Sequence, residues 1–220
     1  MQLSGGTWLK RTARMPTLQR AREAALLPRE LARDRRRVAA GSPVPPDRVK
    51  HKMIEAAARS AGSRVIVETG TYYGDTAAYF AVRRYDVHSI ELSPELTELA
   101  RQRFKYRNNV QIHMGDSGEI LGQVIAGIDV PICFWLDGHY SGGVTAGDSM
   151  RPPILREIEA IGRHPVRSHV IVIDDMNAFD GIDYPAVDAV VDAAHRNGFN
   201  ESSLESNLLV LRSLPVAQHR

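Results

Sequence analysis

Short apolar runs and longer amphipathic segments alternate along residues 65 to 213 of the chain. Five runs rich in Val, Ile and Leu have the length of buried strands: residues 65–68, 87–92, 110–114, 130–136 and 169–173. Segments with helical spacing of apolar positions follow several of them, at residues 75–82, 154–161 and 185–197. This repeat of strand and helix predicts an open, mostly parallel α/β sheet with helices on both faces.

The first predicted strand ends in an acidic residue, Glu68, and two glycines follow it four positions apart. Gly70 permits a backbone conformation closed to residues with a Cβ and removes bulk where a ligand approaches, while Gly74 lets a helix pack closely. A dinucleotide site has a third glycine in the pattern G-x-G-x-x-G, which is missing here. The pattern resembles the first motif of class I methyltransferases, which bind S-adenosylmethionine.

Acidic residues also end the second and third predicted strands. Glu91 lies about twenty residues beyond the glycine turn, where a carboxylate can accept hydrogen bonds from both hydroxyls of a ribose. The alternative for Glu91 is a solvated strand end. Asp116 follows the third strand, and the resemblance places it over the adenine. The resemblance implies a cofactor site made of Glu68, Gly70, Thr71, Tyr72, Gly74, Glu91, Leu92, Asp116, Ser117 and Asp137.

Three carboxylates follow the fourth and fifth strands, at Asp137, Asp174 and Asp175. Because parallel strands end at one edge of a sheet, these side chains are expected to converge beside the cofactor. Converging carboxylates repel each other unless they share a proton or a cation, and Mg²⁺ prefers oxygen ligands. The arrangement resembles metal-dependent small-molecule O-methyltransferases of the catechol and antibiotic-sugar types, which implies that the three residues hold Mg²⁺. The alternative is that they cap helices and turns.

His139 lies two residues beyond Asp137, and both are candidate catalytic residues. A histidine has a pKa suited to removing a proton from a substrate hydroxyl at neutral pH, although a lone histidine in a loop is often structural. The Gly-rich stretch at residues 141–153 is long enough to close over a substrate, and residues 179–184 are a candidate second wall.

The resemblance covers residues 47 to 213 and implies a Rossmann-like sheet of seven strands with an antiparallel last strand. Residues 204–211 suit the closing hairpin, and Gly198 is a plausible end for the helix before it. We therefore predict a methyltransferase domain at residues 47–220, preceded by a basic helical arm and linker at residues 1–46.

Composition fits one such domain, because 220 residues with 43% hydrophobic content can bury a core around one sheet. The single cysteine, Cys133, lies in the apolar fourth strand and is expected in the core. Without a disulfide framework a reducing compartment is expected, and we predict a cytoplasmic protein. No secretory signal and no membrane-spanning stretch are recognisable.

Charge is distributed unevenly, although the net charge is only +2. Residues 1–50 carry +8 and the remainder −6, so the arm is basic and the domain acidic. The arginine run at residues 33–37 is either solvated or contacts phosphate or an acidic surface. Residues 17–36 could form an amphipathic helix that lies on the domain, over the active site or on a second subunit of a homo-oligomer.

These patterns predict an enzyme that transfers a methyl group from S-adenosylmethionine to a hydroxyl of a small molecule, a sugar or natural product, with assistance from Mg²⁺. An NAD-dependent oxidoreductase would use the same sheet, but the missing glycine and the carboxylates argue against it. A non-catalytic nucleic-acid-binding module would use the basic arm, but no nucleic-acid motif accompanies the charge, so nucleic acid is not expected as a partner.

Overall fold

The computed structural model describes residues 47–138 and 152–213, which alternate between strand and helix. The strands are β1 (Val65–Thr69), β2 (Asp86–Glu91), β3 (Val110–Met114), β4 (Ile132–Leu136), β5 (Val170–Ile173), β6 (Glu201–Glu205) and β7 (Leu208–Arg212). The helices are α1 (Asp47–Ser60), α2 (Asp75–Ala81), α3 (Pro94–Phe104), α4 (Ser117–Ile125), α5 (Ile154–Gly162) and α6 (Val187–Arg196), with a short 3-10 turn at Met176–Ala178.

The strands form one sheet in the order β3-β2-β1-β4-β5-β7-β6. Strands β1 to β5 pair in parallel, whereas β7 is antiparallel to both β5 and β6. The predicted seven-stranded, mostly parallel sheet with an antiparallel last strand is therefore confirmed. Strand order reverses between β1 and β4, so this neighbouring pair forms the topological switch point, and a ligand crevice is expected at its carboxyl ends.

Alternating side chains along each strand supply two cores, one on each face of the sheet. Val65 and Val67 of β1 pack with the apolar sides of α4, α5 and α6, whereas Ile66 packs with α1, α2 and α3. Each face is thus covered by three helices of the described residues, which explains why the central strands are apolar throughout. Cys133 is fully buried in this core, as expected from its position in β4.

Local signals set several element ends. The Ser93 hydroxyl accepts a hydrogen bond from the Leu96 amide at the start of α3, and Pro94 occupies the first helical position. Gly198, with a φ of +90°, follows the end of α6. Strand β4 begins at Ile132 rather than at the expected Val130, directly after Pro131, which has no N–H to donate to a strand ladder.

None of the helices in residues 47–138 and 152–213 combines the length and the apolar character needed to cross a bilayer.

Candidate functional site

The carboxyl edge of the sheet gathers the residues that follow β1, β2, β4 and β5. The amide of Gly70 donates to the Ile90 carbonyl at 2.9 Å, and the amide of Asp137 donates to Thr69 at 3.1 Å. The Asp174 amide likewise donates to the Leu136 carbonyl at 3.1 Å. These bonds continue the ladder one residue past each strand, so the predicted site residues at these three strand ends lie side by side.

The turn after β1 is built around two glycines with left-handed backbone angles. Gly70 has a φ of +86°, and a Cβ there would lie 2.5 Å from the carbonyl oxygen of Asp137. Gly74 has a φ of +78°, and its Cβ would lie 2.7 Å from the ring of Phe104 in α3. The sequence predicted the glycine requirement at both positions, but it did not reveal that the neighbour crowding Gly70 is the chain after β4.

Glu91 ends β2 with its carboxylate fixed beside this turn. Its Oε2 accepts from the Tyr72 amide at 2.8 Å, and its Oε1 accepts from the Ser93 amide at 2.9 Å. Tyr72 has a positive φ of 49° at this turn. Each oxygen of Glu91 keeps a second lone pair that can accept another hydrogen bond. The side chain of the next residue, Leu92, is exposed. The structure thus places an oriented pair of acceptors at the second strand end.

Glu68, in contrast, lies beneath the turn and is only 1% exposed. Its Oε2 accepts from the Ser89 hydroxyl at 2.5 Å, and that hydroxyl lies 2.6 Å from the Thr71 hydroxyl. Burial raises the pKa of Glu68 to about 8, and the nearby Asp137 carboxylate adds to the rise. Glu68 is therefore largely protonated at neutral pH and supports the turn from below.

Asp116 and Ser117 begin α4 at the end of β3. The Asp116 Oδ1 accepts from the Gly118 amide at 2.8 Å, which makes Asp116 the N-cap of the helix. Its Oδ2 lies 3.0 Å from the Arg156 guanidinium of α5, and Ser117 is mostly buried. Sequence reasoning missed Arg156, and its place on a predicted amphipathic helix carries no signal for this pairing.

The acidic cluster is defined as Asp137, Asp174 and Asp175, which follow β4 and β5. Lys50, a cation that the sequence analysis missed, lies beside this cluster. The Lys50 Nζ of α1 lies 2.5 Å from Asp174 Oδ2 and 3.4 Å from Asp175 Oδ1. The sequence did carry a signal for Lys50. Its spacing from Ile54 places it on the buried stripe of the helix, where a lysine is rare.

The protonation of this pair is governed by opposing influences. Burial lowers the pKa of Lys50, but the carboxylates of Asp174, Asp175 and Asp137 together outweigh burial and the pKa is raised. For Asp174, burial and the charge of Asp137 raise the pKa to about 7 although Lys50 opposes the rise. The pair is ionised at neutral pH because Asp174 accepts from two donors, the Lys50 ammonium and the Asp175 amide at 2.7 Å.

A fit to a divalent ion can be tested on the same geometry. Within residues 47–138 and 152–213, no three His, Cys, Asp or Glu side chains are grouped to hold a metal ion. Asp174 is occupied by Lys50, and Asp175 faces both Lys50 and the Asn207 amide. While Lys50 holds this position, the carboxylates do not fit a divalent ion.

A narrow pocket opens over the ends of β4 and β5. It is lined by Leu136, Gly138, Pro152, Pro153, Ile154, Glu157, Ile173, Phe179 and Tyr184. The Phe179 and Tyr184 rings stand 5.2 Å apart between centroids, so the segment expected to form a substrate wall contributes two of the side chains that line this pocket.

Glu157 is the only carboxylic acid among the described residues that line this pocket, and it is 1% exposed. Burial raises its pKa to about 7, with the Ser117 and Thr69 hydroxyls offsetting part of the rise. Its Oε1 has no hydrogen-bond partner in the described part of the chain. The predicted base, His139, and the glycine-rich stretch after it lie outside the described residues.

Comparisons with known proteins identify the fold. No family model matches this chain, and no curated protein sequence matches it. The S-adenosylhomocysteine-bound methyltransferase PaMTH1 of Podospora anserina is 13% identical, with 98% of both chains covered and a TM-score of 0.55. CalS11, a calicheamicin methyltransferase, is 14% identical over 89% of this chain and 91% of that chain, with a TM-score of 0.53.

A third solved structure is the Bacillus cereus O-methyltransferase in complex with S-adenosylhomocysteine. It is 18% identical over 86% of this chain and 91% of that chain, with a TM-score of 0.51. These likenesses establish that the chain has the fold of S-adenosylmethionine-dependent methyltransferases. The resemblance inferred from the strand-end residues is therefore confirmed at the level of the fold.

Proposed function

We propose that this protein transfers a methyl group from S-adenosylmethionine to a hydroxyl group of a small molecule. The observation that carries the proposal is the Glu91 carboxylate, held by the Tyr72 and Ser93 amides beside the Gly70 turn of a methyltransferase fold. Two oriented acceptors at the end of the second strand match the paired hydroxyls of a ribose. The bare backbone of the turn matches a ligand that approaches closely.

S-Adenosylmethionine supplies an electrophilic methyl group on its sulfonium sulfur when it is bound. The work left to the chain is therefore to align the acceptor with that methyl group and to receive the acceptor's proton. Glu91 and the Gly70 turn hold the donor's sugar in our proposal. Asp116 and Ser117, at the next strand end, border the adenine.

We place the acceptor in the narrow pocket over β4 and β5, between Leu136 and the rings of Phe179 and Tyr184. Aromatic and aliphatic walls with few polar groups suit a sugar ring or a phenolic ring. One similar structure is described as a TDP-rhamnose 3'-O-methyltransferase of calicheamicin biosynthesis, which supports a sugar or natural product as the substrate class. His139 stays our predicted base.

Mg²⁺ assistance is a separate part of the sequence-based prediction. Asp137, Asp174 and Asp175 would have to supply the ligands, and the ion would lower the pKa of the acceptor hydroxyl. Lys50 stands at the oxygens that such an ion would use. The proposal therefore assigns methyl transfer to the chain's own residues, and a divalent ion would fit only if Lys50 withdrew.

Calorimetry with S-adenosylhomocysteine tests the cofactor half of the proposal. The wild type should bind it, and Glu91→Ala should weaken the binding by about 1 to 3 kcal/mol through the loss of hydrogen bonds to a charged group. Glu95→Ala, which removes an exposed glutamate of α3, serves as the matched control and should bind like the wild type. Equal affinities for all three proteins would remove Glu91 from the site.

Transfer of a radiolabelled methyl group to a panel of sugar and phenolic acceptors tests the second half. Binding of NADH in place of S-adenosylhomocysteine would favour the oxidoreductase instead.

A cytoplasmic location, the arm at residues 1–46 and assembly through that arm stay predictions from the sequence.

A further inference from the structure

Lys50 is placed where a long charged side chain is rarely found. It lies on the buried stripe of α1 with Ile54, Ala57 and Ala58, and its side chain is 9% exposed. Lysine is almost never buried to this degree without a partner, because removing an ammonium from water is costly. Its location therefore requires compensation by a fixed negative charge.

The compensating negative charge comes from Asp174 and Asp175, which are far from Lys50 in the sequence. The Nζ of Lys50 donates to Asp174 Oδ2 at 2.5 Å and to Asp175 Oδ1 at 3.4 Å. The second oxygen of Asp174 accepts from the Asp175 amide at 2.7 Å, so both oxygens of this buried carboxylate have donors. One ammonium thus orients two of the three carboxylates in the acidic cluster.

We infer that Lys50 is the resident cation of the acidic cluster, and that its ammonium takes the place of a divalent metal ion. The resemblance to metal-dependent O-methyltransferases implies an ion at these carboxylates, and the side-chain geometry disagrees with it. A Mg²⁺ ion binds oxygen at about 2.1 Å. Sharing Asp174 Oδ2 with Lys50 would bring the two cations within about 4.6 Å of each other, where like charges repel strongly.

The positive charge that balances the acidic cluster is therefore supplied by the protein itself. Lys50 acts as a positioning residue that holds Asp174 and Asp175 at the edge of the sheet. The inference rests on the proposed function only for its meaning in catalysis, because occupancy by a metal is measurable without substrate or turnover.

Electron paramagnetic resonance of Mn²⁺ tests the inference directly, since protein binding diminishes the signal of the free aqueous ion. The wild type should leave the signal unchanged. Lys50→Ala, which leaves the carboxylates without their cation, should bind one Mn²⁺ at least about tenfold more tightly than the wild type, a difference of about 1.4 kcal/mol. Adding Asp174→Asn to Lys50→Ala should abolish the new binding.

Lys52→Ala is the matched control, because it removes the same charge from an exposed position two residues along the same helix. It should behave like the wild type. Binding of one Mn²⁺ by the wild type, removed by Asp174→Asn, would overturn the inference. Equally, a folded Lys50→Ala that binds no Mn²⁺ would show that Lys50 is not what keeps the ion out.

Lys50→Ala leaves Asp174 buried without its partner, so the variant and the milder Lys50→Gln are both to be refolded with and without Mn²⁺. Folding that depends on the ion in either variant supports the inference, and failure of both to fold with the ion contradicts it. If the wild type does not bind S-adenosylhomocysteine, the proposed function is contradicted, while the Mn²⁺ result still stands.

Discussion

The ammonium nitrogen of Lys50 lies 2.5 Å from the Asp174 carboxylate, although 124 positions separate the two residues along the chain. The contact ties the first described helix to the end of β5, at the edge where the cofactor is proposed to bind. Both side chains are almost completely buried, so the charges are weakly screened by solvent. The pair is thus at once a stability element and part of the candidate site.

Breaking this pair should cost stability. In the presence of EDTA, Lys50→Ala should lower the free energy of unfolding by about 3 to 5 kcal/mol, because it leaves a buried carboxylate without its counterion. Urea denaturation measures the loss, and the double variant with Asp174→Asn should recover part of it. Lys52→Ala should stay within about 0.5 kcal/mol of the wild type. Similar small losses for both lysines would mean that the pair contributes little.

Gly70 should tolerate no side chain. Gly70→Ala should cost at least about 1 to 2 kcal/mol, because a left-handed backbone strains residues with a Cβ and the Cβ would meet the Asp137 carbonyl at 2.5 Å. Affinity for S-adenosylhomocysteine should fall with it. Gly122→Ala, in the middle of α4 with open space around it, should instead stabilise by about 0.5 to 1 kcal/mol. The two chemical denaturation midpoints, measured side by side, check both signs.

The buried carboxyl of Glu68 should make stability fall as pH rises. Its pKa is raised to about 8 in the fold from an ordinary value of 4.5. The unfolded chain therefore releases this proton first, and the stability contributed below pH 4.5 is lost progressively as the pH approaches 8. Glu68→Gln should flatten this part of the stability profile, measured by urea unfolding at several pH values. An unchanged slope would assign the pH dependence to other groups.

A histidine pair at the other end of β5 should act in the opposite direction. The Ile132 amide donates to His169 Nδ1 at 3.0 Å, and His169 Nε2 lies 3.0 Å from His164 Nδ1. Burial lowers the pKa of His169 to about 4. Since the unfolded chain takes up this proton near pH 6.5, stability present above that pH should be lost between pH 6.5 and 4.

His169→Asn, which keeps an acceptor near the Ile132 amide, checks this assignment. The variant should be less stable than the wild type at pH 7 and should lose less stability on acidification. Parallel losses in the two proteins between pH 6.5 and 4 would count against His169 as the sensitive group.

The identity of the base is tested by kinetics. His139→Ala should lower kcat by roughly a hundredfold to ten-thousandfold while cofactor affinity is kept, the usual contribution of a general base. Glu157→Gln is the informative comparison, because Glu157 lines the pocket with a pKa of about 7. If kcat instead falls for Glu157→Gln and its pH dependence disappears, the role belongs to Glu157.

Local pattern was enough to predict an open, mostly parallel sheet. Strand and helix periodicity predicted its five parallel strands, because each needs apolar residues on both faces, whereas the seven-stranded sheet with an antiparallel last strand followed from the resemblance to class I methyltransferases. Gly70 was recognisable because a positive φ restricts the choice of residue, and Gly74 because a helix has to pack closely there. The cofactor roles of the strand-end residues and the domain boundary at residue 46 stay predictions.

Only the tertiary structure decided which partners these residues have. Glu68 is buried with its carboxyl group bonded to the Ser89 hydroxyl, and Asp116 is paired with Arg156 of a distant helix. The acidic cluster was predicted to hold Mg²⁺, whereas the fold brings Lys50 to it. A carboxylate cluster specifies that positive charge is needed, but its source depends on which helix packs against that edge, and such long-range packing leaves only a weak mark on local sequence.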